Sequence, residues 1–285
     1  MIELPIGSAF RIEAMSSGPE VLILGAVHGD ETCGFLAIGA LLARFADRSL
    51  TLWRGRLTLA IGNEEALRRR VRKVEVDLNR CFIDGPDGTL DSYERRRAED
   101  LKPLLRAADY MLDLHATSLP SVPFLMCEEP VLPFARALGI SPIVLGWGSL
   151  GAGALFGDTE TYVNAHGGRG MTVENGARDW PGGADSALVA SLNLLRHLAM
   201  IDGVVPEPRG DAVVYRLFHV HVVERPGFRY SRPFQTFDRL HEGEEIGRDL
   251  ERVYVAPAEC VIVMPTDPEQ VKPGEDLYLL GRRVV

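Results

Sequence analysis

Residues 21–31 read VLILGAVHGDE, and this stretch decides how the rest of the chain is interpreted. Val21 to Val27 is an unbroken apolar run, as expected of a strand buried on both faces of a parallel sheet. His28 and Glu31 follow it, three residues apart. Glu31 then opens a helical pattern in which Phe35, Leu36, Ile38, Leu41, Leu42 and Phe45 recur at helical spacing. Asp30 and Glu31 suit a helix N-terminus, where the backbone dipole favours negative charge. A strand-to-helix turn of this kind can aim His28 and Glu31 at one point.

Working outward, further strands are expected at 9–14, 56–61, 109–114, 122–127, 143–145 and 170–174. Helices are expected at 92–108, 131–138 and 184–200, with a short helix or turn at 64–70. This alternation predicts an α/β fold with a mixed, mostly parallel sheet flanked by helices. Val71–Asp91, with Gly85, Pro86 and Gly88, reads as a long functional loop. Gly146–Gly157 is glycine-rich but lacks the GxGxxG order of a phosphate cradle, so it reads as a mobile loop beside a site. The texture changes near residue 203. Val204–Asp211 has two prolines and a glycine, as in a linker. Short strands with turn signals then follow at 212–224, 227–231, 244–248, 252–256, 260–264 and 277–283. The expectation is two domains, an α/β domain over 1–203 and a small all-β domain over 204–285.

The 285 residues are 46% hydrophobic, enough for a sizeable core. A net charge of −9 argues against a nucleic-acid or anionic-membrane partner, since both need basic fields. The N-terminus lacks a signal-peptide pattern, and no apolar run approaches the ~20 residues of a spanning helix. Cys33, Cys81, Cys127 and Cys260 are scattered and form no CxxC pair. Reduced thiols in a cytoplasm are the simplest account. A homo-oligomer is left open.

Four of the expected strands deliver a polar residue at or near the carboxyl end: His28, Asn63, His115 and Glu174. In open α/β sheets ligands bind along that edge. Two imidazoles and one carboxylate, from His28, Glu31 and His115, suit zinc and leave a fourth position open. Nickel, cobalt or manganese could occupy the same ligands in vitro. HxxE alone is a weak signal; the other clusters strengthen it.

HGDE at 28–31, DLNR at 77–80, DLHAT at 113–117 and TVENG at 172–176 together resemble the succinylglutamate desuccinylase/aspartoacylase family. That family is a branch of the zinc carboxypeptidase-like amidohydrolases, and the similarity spans about residues 20–200. The resemblance implies one zinc ion per chain, held by His28, Glu31 and His115. It implies Asp77 as the partner that orients His28. Asn79 and Arg80 would clamp a substrate carboxylate, Arg72 would steady the carbonyl oxygen as charge develops, and Glu174 would act as general base and then general acid. The implied activity is hydrolysis of the linear amide bond in a small N-acyl amino acid or similar carboxylate-bearing amide. Alternatives are a zinc carboxypeptidase or cell-wall-peptide amidase using the same site, or a non-catalytic metal-binding protein.

Other residues keep plainer readings. Arg68, Arg69, Arg70 and Lys73 suit a solvated basic face. Asp113 suits a backbone anchor, His166 an ordinary loop histidine, and His219 and His221 a surface strand. Glu174 could instead pair with Arg169 or Arg178, which are also the candidates for a second specificity arginine. Asn175 departs from the apolar residue more usual before the glycine. Tyr162, Tyr230 and Tyr254 are open as the tyrosine completing the site. Segments 240–247, 256–260 and 271–280 resemble the barrel-sandwich domain of lipoyl and biotinyl carriers. Lys272 sits in the wrong place for a carrier lysine, so the domain reads as a structural wall limiting substrate size.

Overall fold

In the computed structural model, which describes residues 1–84, 91–150, 157–205, 207–208 and 210–284, the apolar run at 21–27 feeds an inner strand of a wide mixed sheet. The elements up to residue 203 run β1 (Ile2–Glu3), β2 (Ala9–Glu13), β3 (Ser16–Gly25), α1 (Thr32–Ala46), β4 (Arg54–Ile61), α2 (Glu64–Arg69), α3 (Tyr93–Ala107), β5 (Tyr110–Thr117), β6 (Phe124–Cys127), α4 (Leu132–Ala137), β7 (Ile143–Leu145), α5 (Thr159–Ala165), β8 (Arg169–Ala177) and α6 (Gly183–His197). After it come β9 (Val214–Val222), β10 (Arg229–Tyr230), β11 (Arg239–Leu240), β12 (Glu245–Arg248), β13 (Val253–Val255), β14 (Cys260–Val263) and β15 (Asp276–Arg283).

The large sheet runs β1-β2-β4-β3-β5-β8-β6-β7-β9-β15-β14-β11, and β10-β12-β13 form a second sheet. Pairing is parallel across β4-β3-β5-β8 and across β6-β7-β9. It is antiparallel where β6 meets β8 and toward both edges. The sheet is mixed, as expected, with two parallel runs meeting at the antiparallel β8–β6 pair.

Successive side chains of a strand point to opposite faces, and β3 shows why its run is apolar throughout. Val21 and Ile23 pack with Ala37 and Leu41 of α1 and Ala190 and Leu194 of α6. Leu22 and Leu24 pack on the other face with Leu101 and Leu105 of α3 and Val163 of α5. A strand sandwiched between helices has no solvent face on which to place polar residues.

Some elements depart from expectation. Helix α5 falls where a loop is expected; Asp158 caps it by accepting a hydrogen bond from the Thr161 amide. The short strands β1 and β11 are also new, as are 3-10 turns over Leu78–Arg80, Gly148–Leu150 and Pro268–Gln270. Gly85, Pro86 and Gly88 of the first loop, 151–156 of the glycine-rich stretch, and Pro206 and Arg209 of the linker lie outside the described residues. No helix among the described residues is long and apolar enough to cross a membrane.

Candidate metal centre and its cavity

Beyond the last residue of β3 the chain turns sharply. Ala26 takes a φ of 53°, a left-handed value that a residue with a Cβ adopts at a cost of about 1–2 kcal/mol. Hydrogen bonds from the Gly62 and Asn63 amides to the Gly25 and Ala26 carbonyls hold this turn, and the Gly29 amide donates to the Arg72 carbonyl. A Cβ on Gly29 would stand 2.0 Å from the Ala66 carbonyl carbon, so only glycine lets the loop lie on α2. His28 and Glu31 are thereby fixed at the start of α1.

His28 Nδ1 lies 2.8 Å from Glu31 Oε1, and His115 Nδ1 lies 3.0 Å from Glu31 Oε2. The ligand-competent atoms of His28, Glu31 and His115 all fall within 4.8 Å of one another, and all three residues are buried. Each ring is backed by a second carboxylate: His28 Nε2 is 3.0 Å from Asp77 Oδ1, and His115 Nε2 is 3.0 Å from Asp113 Oδ2. Metal-binding histidines are held in this way, with the ring nitrogen away from the metal facing a carboxylate. Glu174 sits beside His115 in register on the neighbouring strand, and its buried Oε2 has no hydrogen-bond partner.

Charge balance agrees with a cation. Burial opposes charge on His115, yet Asp113 and Glu31 outweigh it and hold the imidazole well above its usual pKa. Burial also opposes ionisation of Glu31, but His28 and His115 keep it well below the carboxylate range. The carboxylates around the two rings thus favour positive charge at this point, which a divalent cation between the two imidazoles and Glu31 would supply. The donor set therefore fits a small divalent ion such as zinc. Burial lifts Glu174 to about 7, with Glu31 adding to the rise and His115 and His28 opposing it.

A cavity of about 800 Å³ opens onto this cluster. Arg72, Asp77, Asn79 and Arg80 line it together with His28, Glu31, His115 and Glu174, so of the expected strand-end residues and the residues given a role by the motifs only Asn63 stays outside. Their contacts refine the expectations. Arg72 reaches Glu31 at 3.3 Å and Asp77 at 3.1 Å. Asn79 accepts a hydrogen bond from the Thr159 amide, which ties its side chain to α5. Arg80 is ion-paired at 3.1 Å with Asp276 from the far end of the chain. Asp113 anchors the His115 ring and accepts the Thr159 hydroxyl rather than capping backbone.

Several expectations are corrected. Asn63 does not join the cavity; it caps α2 through the Ala66 amide and donates to Glu94. Arg169 stacks over Tyr110 and Phe134, whereas Arg178 lines the cavity, ion-paired with Asp30. None of the three candidate tyrosines lines the cavity: Tyr162 donates to Asp84, Tyr230 to the Leu277 carbonyl and Tyr254 to Asp249. His166 contacts Asp84, and His221 stacks on Tyr278 inside an aromatic cluster. Trp147, Asp158, Glu160, Glu275 and Asp276 line the cavity without having been anticipated. No motif marks them: Trp147 lies in the expected glycine-rich loop after β7, Asp158 and Glu160 come with the unforeseen helix α5, and Glu275 and Asp276 arrive by chain closure some two hundred residues away. The segment Met264–Asp276 contributes much of one wall, with Lys73 held 3.0 Å from Glu275.

Residues 17–179 match the family description "Succinylglutamate desuccinylase/Aspartoacylase catalytic domain". A probable aspartoacylase of Acaryochloris marina is 36% identical over 107 residues, 35% of each chain. A succinylglutamate desuccinylase of Pseudomonas fluorescens is 34% identical over 95 residues, 33% of this chain and 28% of the relative. The matched stretch thus spans about a third of these curated relatives. Among solved structures, a succinylglutamate desuccinylase from Vibrio cholerae superimposes with a TM-score of 0.77 at 21% identity, covering 97% of this chain and 85% of the other. A succinylglutamate desuccinylase/aspartoacylase from Rhodobacter sphaeroides gives 0.72 at 23% identity, covering 97% and 89%. At that identity the likeness concerns the fold.

Proposed function

The chain belongs to the succinylglutamate desuccinylase/aspartoacylase catalytic family, and from that premise we propose that it is a zinc-dependent hydrolase of the linear amide bond in small N-acyl amino acids. One observation carries the reading: His28, Glu31 and His115 converge on one point in a cavity where a buried Glu174, its Oε2 without a hydrogen-bond partner, stands beside them.

A zinc ion held there would supply a Lewis acid that polarises the amide carbonyl and lowers the pKa of water. The protein groups then divide the work. Glu174, lifted toward neutrality, takes the proton of the attacking water and hands it to the amine nitrogen as the carbon–nitrogen bond breaks. Arg72, placed by Glu31 and Asp77, lends its guanidinium to the oxygen that gains charge. Asp77 and Asp113 orient the two imidazoles. Asn79 and Arg80 are the proposed hold on a substrate carboxylate, which has to share Arg80 with Asp276.

The division into a catalytic part, 1–203, and a barrel-sandwich-type β part, 204–285, is kept as part of this reading. A separate apolar cluster around Leu240, Ile246, Ile262 and Tyr278 supports it, although the β7–β9 ladder joins both parts in one sheet. Residues from the second part line the cavity, which favours a small substrate over a peptide. Four unpaired cysteines support a reducing compartment such as the cytoplasm.

Glu174→Gln tests the assignment. The variant is expected to fold and bind one zinc per chain while kcat falls by ~10²–10⁴. Turnover unchanged from the unaltered protein would remove Glu174 from the mechanism.

A further inference from the structure

Each arginine of the cavity wall is already committed to a carboxylate: Arg72 to Glu31 and Asp77, Arg80 to Asp276, Arg178 to Asp30. Lys73 is likewise held by Glu275. Glu160 is the reverse case. It lines the same cavity, is only 3% exposed, and among the described residues takes a single hydrogen bond, 2.9 Å from the Thr172 hydroxyl to Oε2. No ion pair reaches it among the described residues. The charged groups that act on it most are Asp158, Glu128 and Asp113, all acidic, and burial together with them holds its carboxyl well above the usual range. Buried charges elsewhere in proteins are paired, and an acid surrounded by acids is costly unless something balances it.

Its position is specific. Thr172 lies two residues before Glu174 on β8, so both side chains point to one face about 7 Å apart along the strand. Glu160, on Thr172, is therefore one step past the proposed general base. Gly170 allows this closeness: a Cβ there would fall 2.8 Å from the Glu160 carbonyl oxygen. Trp147 flanks the same region, its indole nitrogen donating to Asp158 at 3.2 Å, and presents an aromatic surface to the cavity.

We propose that this end of the cavity takes a cation: the substrate is an N-acyl amino acid whose side chain ends in an ammonium or guanidinium group, seated against Glu160. The proposal rests on the deacylase reading for the bond broken, but the binding of the cationic group does not depend on it. An incoming ammonium favours the ionised carboxylate, so Glu160 gives up its proton to solvent and then accepts a charge-assisted hydrogen bond from the ammonium in a partly dry site, the setting in which such bonds are strong. Trp147 already holds a cation over its ring, the Arg80 guanidinium 5.9 Å from the centroid, so the substrate's charge is assigned to Glu160 alone.

Two arms test it on the full chain. In the first, the zinc-loaded protein is assayed with N-acetylornithine, N-acetyllysine and N-acetylarginine against N-acetylnorleucine and N-acetylglutamate. The expected kcat/KM favours the cationic set by about tenfold or more, and Glu160→Gln collapses that ratio toward one. A preference for glutamate or norleucine, or a ratio that Glu160→Gln leaves intact, overturns the proposal. In the second arm, calorimetry on the unaltered protein measures binding of free ornithine, lysine and norleucine in two buffers of different ionisation heat. The amines are expected to bind at least tenfold tighter and to release a proton as Glu160 ionises; equal binding of norleucine, or binding without proton release, overturns it. If no N-acyl amino acid is hydrolysed, the deacylase reading fails and the second arm still decides the role of Glu160. That arm also stands if the variant does not fold.

Discussion

Glu174 shows how one position sets the chemistry. Its carboxyl is buried beside His115 with one oxygen unsatisfied, and burial lifts it from 4.5 to about 7. For stability, a raised carboxyl favours the folded state below the unfolded value, and that contribution is lost as pH rises through about 7. For catalysis the direction reverses, because a base must be ionised to accept a proton. A bound dication draws the value down. The pH profile of kcat is therefore expected to fall on the acid side with a midpoint at or below about 7. A kcat profile with no acid-side fall at any pH at which the protein stays folded and metal-loaded would exclude Glu174 as the base. His28, Glu31 and His115 were readable as a candidate ligand set because they lie in short motifs at strand ends. Glu160 and Asp276 were not, because nothing local distinguishes them from surface acids; only the packing of α5 and the return of β15 bring them to the cavity.

At the scale of elements, the β3–α1 turn carries the site. It works because Gly29 lies flat on α2 and Ala26 accepts a left-handed backbone. Gly29→Ala is expected to push the loop off Ala66, at a cost of about 1–3 kcal/mol, and to weaken zinc binding because His28 moves with it. Thermal unfolding and zinc titration check this; stability and affinity both at the level of the unaltered chain would contradict it. Strands β3, β5 and β8 were legible from their apolar runs, and helices α1, α3 and α6 from clear periodicity. Helix α5 was not. Its seven residues, TETYVNA, carry too little apolar period, and a glycine-rich stretch precedes it. Its stability comes from the Asp158 cap and from Tyr162 and Val163 packed in the core, which are tertiary facts. The two-residue strands escape for a similar reason, since ladder pairing rather than local preference defines them.

For the whole molecule, the change of texture near residue 203 was visible, but the continuity of the sheet across it was not. Strand β9 pairs with β7, and Phe124, Met126 and Val144 share a cluster with Leu217, Val261 and Leu279. Removing 204–285 would strip that cluster and leave β7 as an open edge. The truncated chain is expected to be insoluble or to lose cooperative unfolding; a sharp transition within a few degrees of the full chain's would contradict this. The same closure brings Glu275 and Asp276 onto Lys73 and Arg80, so what the cavity accepts depends on both parts of the chain. The central claim is a metal-dependent amide hydrolase, and one measurement addresses it most directly. Hydrolysis of a panel of N-acyl amino acids is followed in metal-stripped protein and again after zinc is returned. The account predicts no turnover without metal and full recovery at one zinc per chain. Stoichiometric zinc with no hydrolysis of any member, or hydrolysis indifferent to zinc, would contradict it.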